Sequence, residues 1–473
     1  MPGSNLHSRY NPQAEAARYV DSLNLKSGIE CFILIEPGLG YLVPVLREKF
    51  KDSKIIALHV DENLPAMQGV PTLYGEDCTS LQNFLESEVP QTSAKSIRII
   101  EWRPSMNYYG EAYVKLLSQV VEFIKRADAG KRTESAFGKR WVRNFFKNLE
   151  IVQKTLLYKT SDIPVIITGS GPSLEKALPL ICEAQDNCLI IAASSSIMAL
   201  GAGGVKADIV IATDGGPWAL KHIYPCFRNT TADSNDAKNA VGFAVNLCAA
   251  LPSQCSSLPF LLINDSSFWQ SVILHELALP SVIIPQRGTV SATAVDLALA
   301  LSGGNIYLAG MDLSVKDIRT HARPYGFDHL LFDKAGRFSP VYSQSFIRSG
   351  LLQKGGGLSI YEAWFKNQLS SWPKRIFSIG GGNEVFEDAI CAQGAVKKTG
   401  EYFKTNSVNG DFREFRKRGE AALLTALGES RFADNIKAEL TPLLFPDEKK
   451  ASENMLREAI LSLSANSEGE IYG

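Results

Sequence analysis

The sequence predicts an α/β protein built on parallel sheets, and three observations carry that expectation. Short, continuously apolar runs rich in Val and Ile recur along the chain, as at Cys31–Ile35, Val165–Ile167 and Cys188–Ala193, which suits strands covered on both faces. Stretches with helical spacing separate them, giving the strand–helix–strand alternation of a parallel sheet. Several runs then end in Gly, Ser or Asp. In a doubly wound sheet such turns fall at the strand carboxyl ends, where helix N-termini converge and ligands bind.

Composition bounds the class. At 473 residues one hydrophobic core does not suffice, and two or three domains are expected. A net charge of −1 with 45% hydrophobic residues gives no support to a nucleic-acid surface or a polybasic membrane anchor. The eight cysteines are scattered without a Cys-x-x-Cys pair and read as buried thiols of a reducing compartment, not as a zinc site or disulfide framework. Residues 1–26 lack the apolar stretch of a signal peptide and no later run reaches the length of a membrane span, so the cytoplasm is the expected location.

In chain order, Asn11–Leu23 has a capping residue, an early proline and helical spacing of Ala17, Val20 and Leu23. Strand Cys31–Ile35, helix Leu42–Phe50 and strand Lys54–His59 then form a β-α-β unit of a Rossmann-like N-terminal domain, residues 1–130. Its turn, Glu36-Pro37-Gly38-Leu39-Gly40-Tyr41, with Asp61 or Glu62 placed for a ribose, superficially matches an S-adenosylmethionine site. The bulky Tyr41, where a third small residue would help, favours a structural domain. After strand Ile97–Glu101, a helix is expected over Gly110–Ala127, broken by Ala129–Thr133, and a second over Glu134–Tyr158. Trp141, Phe145, Leu149 and Val152 share one face of the second, which marks a core helix with solvated charge and not a nucleic-acid surface. Residues 131–160 are this helical connector, 161–397 the central domain, and 398–473 a helical C-terminal segment with helices at Asp411–Leu427, Arg431–Leu444 and Asp447–Leu463.

Three strand ends of the central domain carry ligand chemistry. After Val165–Ile167, Gly169 and Gly171 permit a tight turn and close approach to a ligand, and Pro172 and Ser173 open a helix whose free amides and dipole favour an anion. Cys188–Ala193 ends in Ser194-Ser195-Ser196, and Ile209–Thr213 in Asp214-Gly215-Gly216. Asp214 can accept from a ribose, and the absence of a local Asp-x-Asp leaves a metal unargued. Further strands at Leu258–Ile263 and Ser281–Ile284 lead to Arg287-Gly288-Thr289-Val290-Ser291, where free amides, two hydroxyls and a guanidinium suit a carboxylate or phosphate. Asn305–Leu313 follows, with Asp312 at a strand end, and then a loop holding His321, Tyr325 and His329. Ile376–Ile379 reads as the last strand, with Gly382-Asn383 beyond it as a cap or cleft residue pair.

The run Val165–Leu174 resembles the nucleotide turn of the motility-associated factor (Maf) glycosyltransferases. It is also similar to the turn of bacterial CMP-sialic acid sialyltransferases and to that of the pterin pyrophosphokinases that share a domain family with Maf. Phe137-Gly-Lys-Arg-Trp141 and the segment Gly288-Thr-Val-Ser291 with Gly310-Met-Asp-Leu313 extend the likeness, which is strongest over Phe137–Leu313. The resemblance implies a sialyltransferase-like central domain that moves a nonulosonic acid (sialic, pseudaminic or legionaminic type) from a CMP-activated donor to Ser or Thr of flagellin, without a cofactor. Gly169–Ser173 would hold the nucleotide phosphate, Ser194–Ser196 and Asp214 the base or ribose, and Arg287–Ser291 the sugar carboxylate. His321 would serve as base or acceptor-orienting group, with Tyr325 on the leaving phosphate and Asp312 beside them. The sialyltransferases' catalytic histidine lies downstream of this point, and the chain has none after His329. Two other readings stay open. One is an ATP- and magnesium-dependent hydroxymethylpterin pyrophosphokinase, with metal-facing roles for Asp214 and Asp312; the other is a non-catalytic nucleotide- or flagellin-binding factor. A homo-oligomer fits any of the three.

Overall fold

The computed structural model describes residues 6–75, 78–89, 96–224, 227, 242–285, 287, 289–315, 318–354, 362, 365, 366, 368, 372–381, 402–408, 410–448 and 450–465. The chain divides into two compact units, Met1–Thr133 and Glu134–Gly473.

The first unit is a four-stranded parallel sheet in the order β3-β2-β1-β4, from β1 (Cys31–Ile35), β2 (Lys54–His59), β3 (Thr72–Tyr74) and β4 (Ile97–Glu101). Every residue of β1 is buried, as a central strand between helical layers requires. The glycine turn after β1 is filled by its own unit. His7 Nε2 accepts a hydrogen bond from the Leu39 amide at 2.9 Å, and its ring lies between Tyr41 and Trp102. A methyl group at Gly38 would run into His7, and one at Gly40 into Met67. Glu36, left-handed at φ 45°, accepts from His59 Nδ1 at 2.9 Å and from the Val60 amide at 2.5 Å; the Glu36 and His59 side chains are both fully buried. These contacts tie the ends of β1 and β2 together and give the structural reading of this turn its physical basis.

The helix that follows departs from expectation. Glu111–Leu149 is one continuous helix of 39 residues. Ala129, Lys131 and Arg132 are good helix formers, and a single interior glycine, Gly130, costs only about 1 kcal/mol, so the polar stretch does not end it. The helix stops at Leu149, and Lys154–Tyr158, expected to be helical, is β5. Its Thr155 pairs with Phe260 and its full length runs antiparallel to β14 (Phe403–Ser407); partners distant in sequence override a weak local preference.

The second unit is built on a ten-stranded sheet in the order β13-β12-β6-β7-β8-β9-β10-β5-β14, with β11 (Ser281–Ile283) also pairing β10. Strands β6 (Val165–Thr168), β7 (Leu189–Ala193), β8 (Ile209–Ala212), β9 (Gly242–Val245) and β10 (Phe260–Asn264) succeed one another outward. The chain then returns to the other side of β6 to place β12 (Ile306–Ala309) and β13 (Ile376–Ile379). All these neighbours are parallel, and only β14 is antiparallel. Alternate residues serve opposite layers: Val165, Ile167, Ile191, Ile211 and Leu261 pack with the helix Val290–Leu301. Ile166 and Ile190 meet the helices Leu174–Ala184 and Ile197–Ala202. Val210, Phe243 and Phe260 meet Phe145, Phe146 and the C-terminal helices Phe412–Gly428, Ser430–Leu444 and Glu453–Ala465. The three C-terminal helices thus share one hydrophobic core with the sheet.

The apolar face expected on the connector helix is present, with Phe145 and Leu149 fully buried. The same helix carries two buried asparagines that fasten the ends of β8 and β9. Asn144 Nδ2 donates to the carbonyls of Gly215 (3.2 Å) and Cys248 (3.0 Å), and Asn148 Nδ2 to those of Leu247 and Ala249, both at 2.8 Å. Replacing Asn148 by Ala leaves two buried carbonyls unpaired and should cost about 1–3 kcal/mol, read as a lower urea midpoint at unchanged slope.

Candidate functional site

The strand order reverses between β6 and β12, and in an open parallel sheet the crevice outside that point is where ligands bind. Two glycine turns meet there. The Gly169 amide donates to the Ala309 carbonyl at 2.8 Å and the Gly171 amide to the Gly310 carbonyl at 2.7 Å. Asp312 accepts from the Ser173 amide at 3.1 and 3.2 Å and from its hydroxyl at 2.9 Å. Where the sequence reading expects free amides, those of Gly169, Gly171 and Ser173 are engaged within the chain, and the carboxylate at this helix start is Asp312. Gly169 and Gly171 are required because the turn after β12 lies against them. A Cβ at Gly171 would be driven into Asp312 Oδ2, and one at Gly169 would stand 2.5 Å from the Gly310 carbonyl oxygen. Pro172 is buried just ahead of Ser173, which occupies the position before the first helical residue, Leu174.

From this lock the loop after β12 is pinned across the strand ends. The Ala322 amide donates to the Ser170 carbonyl at 2.8 Å, and the Arg323 amide to Glu175 Oε1 at 3.0 Å. Arg319 Nη1 reaches Glu175 Oε2 at 2.9 Å. His321 is thereby laid flat on Tyr325, ring centroids 4.0 Å apart and 10° from parallel, with its Nδ1 2.8 Å from Thr320 Oγ1. A second imidazole, which sequence reading missed, closes the other side: His222, on the short helix Leu220–Ile223 after β8, lies 4.9 Å from Tyr325 and 4.7 Å from Phe327. Only Gly326 permits this fit, since a Cβ there would stand 2.6 Å from His222 Nδ1. The one available signal was a histidine within ten residues of the Asp214-Gly-Gly strand end. Trp218, 60% exposed, stands edge-on to Phe327 beside it.

The remaining candidates divide into two groups. The turn Ser194–Ser196 packs against the His222 helix; Ser196 is fully buried and bonds Thr168 Oγ1 (2.9 Å) and the Ala193 carbonyl (2.8 Å), joining β6 to β7. Asp214 is exposed, with Oδ1 accepting from the Gly216 amide at 2.7 Å. Arg287, Thr289 and Ser291 follow a different strand, and like Ser194–Ser196 and Asp214 they are not among the residues lining the His321–Tyr325 cleft. Thr289 caps the helix Val290–Leu301 by accepting from the Ala292 amide at 3.0 Å, and Arg287 Nε pairs with Asp296 at 2.5 Å. Gly288 and Gly382-Asn383 lie outside the described residues. Among the described residues no three His, Cys, Asp or Glu side chains are grouped to hold a metal ion, and no helix is long and apolar enough to cross a membrane.

Burial sets the charge states in the cleft. It lowers His222 to about 4. His321 is lowered to about 4 as well, by burial first and then by Arg348 and His222. Burial pushes Tyr325 up to about 12, against the opposing pull of Arg348. At neutral pH the cleft therefore offers one uncharged imidazole, His321, and an intact phenol, with the second uncharged imidazole, His222, buried against Tyr325. The unfolded chain protonates these histidines near the ordinary 6.5 and the folded chain only near 4. Their contribution to stability is fully present above pH 6.5 and is lost as pH falls through 4. His222→Phe should flatten the fall in urea midpoint between pH 6.5 and 4. At the strand lock, Gly171→Ala should destabilise by about 1–3 kcal/mol through overpacking. Combining it with Asp312→Ala should be less than additive in the same unfolding assay.

Residues 139–317 match the family model described as 6-hydroxymethylpterin diphosphokinase MptE-like. Two uncharacterized proteins of Treponema pallidum (strain Nichols) are similar in sequence: one is 26% identical over 246 residues (52% of this chain and 52% of that protein), the other 31% over 116 residues (24% and 54%). The chain spans about half the length of these curated relatives. Among solved structures, the Maf glycosyltransferase from Magnetospirillum magneticum AMB-1 superposes with a TM-score of 0.53 at 16% identity, covering 96% of this chain and 77% of that one. The likeness read from Val165–Leu174 and Gly288–Leu313 thus stands: the chain has the α/β fold of the Maf glycosyltransferase, built around a segment similar to the MptE-like family.

Proposed function

We propose that the chain is a glycosyltransferase that uses a CMP-activated nonulosonic acid and transfers the sugar to a protein hydroxyl, with Ser or Thr of flagellin as the acceptor that the family resemblance suggests. One observation carries the reading: Tyr325, stacked on His321, is docked through Ala322 onto the glycine turn at the carboxyl edge where β6 and β12 part. Sugar transfer needs a leaving phosphate stabilised and an acceptor hydroxyl relieved of its proton. Tyr325 keeps its proton at neutral pH and can donate a hydrogen bond to the phosphate oxygen that receives the electron pair as the glycosidic bond breaks. With Nδ1 engaged by Thr320, His321 has Nε2 to orient the acceptor hydroxyl and take its proton as the new bond forms. Its lowered pKa makes it a weak base that is nonetheless neutral and ready across the physiological range. Trp218, exposed after β8, would stack on the nucleobase, and Asp214, exposed four residues earlier in the chain, would accept from the ribose. A protein acceptor is favoured by the apolar residues Tyr342, Phe346 and Leu351, all exposed on the helix Val341–Lys354 that borders the cleft.

The match of residues 139–317 to the MptE-like model favours a second reading, pyrophosphoryl transfer from ATP to a hydroxymethylpterin. Asp312 in this structure accepts from the Ser173 amide and hydroxyl, and on this second reading its remaining lone pairs would face the metal.

Donor turnover and calorimetry decide between them. Tyr325→Phe and His321→Ala should each lower kcat with CMP-activated sugar by about 10²–10⁴-fold while CMP still binds. The acid limb of the wild-type rate should lie near pH 4. Turnover of ATP and a pterin that requires magnesium, with no response to CMP-sugar, would replace the first reading by the second.

A further inference from the structure

Among the described residues, the charge in the cleft is unbalanced. Three guanidinium groups line it, and two are answered: Arg319 by Glu175 at 2.9 Å, Arg323 by Asp328 at 3.7 Å. The third, Arg348, is half-buried on the wall it shares with His321 and Tyr325, and among the described residues no carboxylate pairs with it. The two side chains on which its charge is felt bring no negative charge of their own. A partly desolvated cation without a counter-ion costs free energy that a ligand oxyanion would offset.

The helix carrying Arg348 is set for this purpose and not for ordinary packing. Its small polar residues Ser345 and Ser349 are buried, while Tyr342, Phe346 and Leu351 face solvent, the reverse of an amphipathic surface helix. That orientation brings Ser345 and Arg348 to the cleft. A hydroxyl, a planar fork of donors and the Tyr325 phenol then face one small space, which suits a phosphate or carboxylate group.

We propose that Arg348 is the anion-binding residue of the cleft, holding an oxyanion of the donor, phosphate or sugar carboxylate, beside the Tyr325 hydroxyl. The proposal rests on the donor reading above and names the charge which that reading otherwise lacks, since neither imidazole can supply it at neutral pH.

The test is calorimetry of the full chain and its Arg348→Gln and Arg348→Lys variants with CMP, cytidine, N-acetylneuraminate and pyrophosphate, with thermal unfolding to confirm that the variants fold. CMP affinity falling about tenfold or more in Arg348→Gln, recovered in part by Arg348→Lys and with cytidine unaffected, assigns the phosphate. The same loss confined to N-acetylneuraminate assigns the carboxylate. Binding of CMP and N-acetylneuraminate that is equal in wild type and Arg348→Gln overturns the role of Arg348 and leaves the donor reading standing. Pyrophosphate held by the wild type and lost in Arg348→Gln, with no affinity for CMP in either, upholds the anion site and sinks the sugar donor. A wild type that binds none of the three anions overturns both.

Discussion

Asp312 and Ser173 are 139 residues apart in the chain, and the carboxylate of one accepts both the amide and the hydroxyl of the other. This contact holds together the two strands, β6 and β12, between which the sheet changes direction. It satisfies the Ser173 amide at the start of the helix Leu174–Ala184 and places a negative charge at the positive end of its dipole. Because the two turns must touch for the contact to form, residues 169, 171 and 310 are glycine, and Gly310 sits at φ 64°. The loop bearing His321 leaves from this lock and returns to it through Ala322 and Ser170.

What the lock positions is an aromatic cluster beside a cleft that Arg319, Arg323, Asp328 and Arg348 also line. His222, His321, Tyr325 and Phe327 come from two loops that follow different strands, β8 and β12, and their rings exclude water from one another. Desolvation then fixes protonation: imidazoles lose their charge and the phenol keeps its proton. Such a site suits chemistry in which a donor brings its own negative charge, because a neutral donor of hydrogen bonds, Tyr325, and the Arg348 guanidinium line one cleft, while the carboxylates of Glu175 and Asp328 are engaged by Arg319 and Arg323.

Much of the fold is legible in the sequence. Strands β1, β2, β4, β6, β7, β8, β10, β11, β12 and β13 announce themselves as apolar runs, several with glycine, serine or aspartate after them, and all of them are strands in the structure. The strands that escape such a reading do so for other causes. Short β3 and β9 have little periodicity to read, and β5 and β14 alternate weakly: β14 lies at the sheet's edge against β5, and β5 is held between it and β10. The connector helix reads as two because Gly130 in a polar stretch looks like a terminator, although one glycine inside a long helix is a small cost.

Site residues are legible as types, not as partners. The sequence by itself determined that glycine turns, a serine cluster, aspartates and a histidine–tyrosine loop follow successive strands, because local backbone geometry demands those residues wherever they stand. Only the tertiary structure decided that Asp312 meets the Ser173 amide; that Thr289 caps its own helix and Arg287 pairs with Asp296; and that His222 and Arg348 join His321 and Tyr325. Those outcomes depend on which strand ends lie side by side, and strand order is set by the burial of whole layers, a non-local quantity that no short run of residues contains.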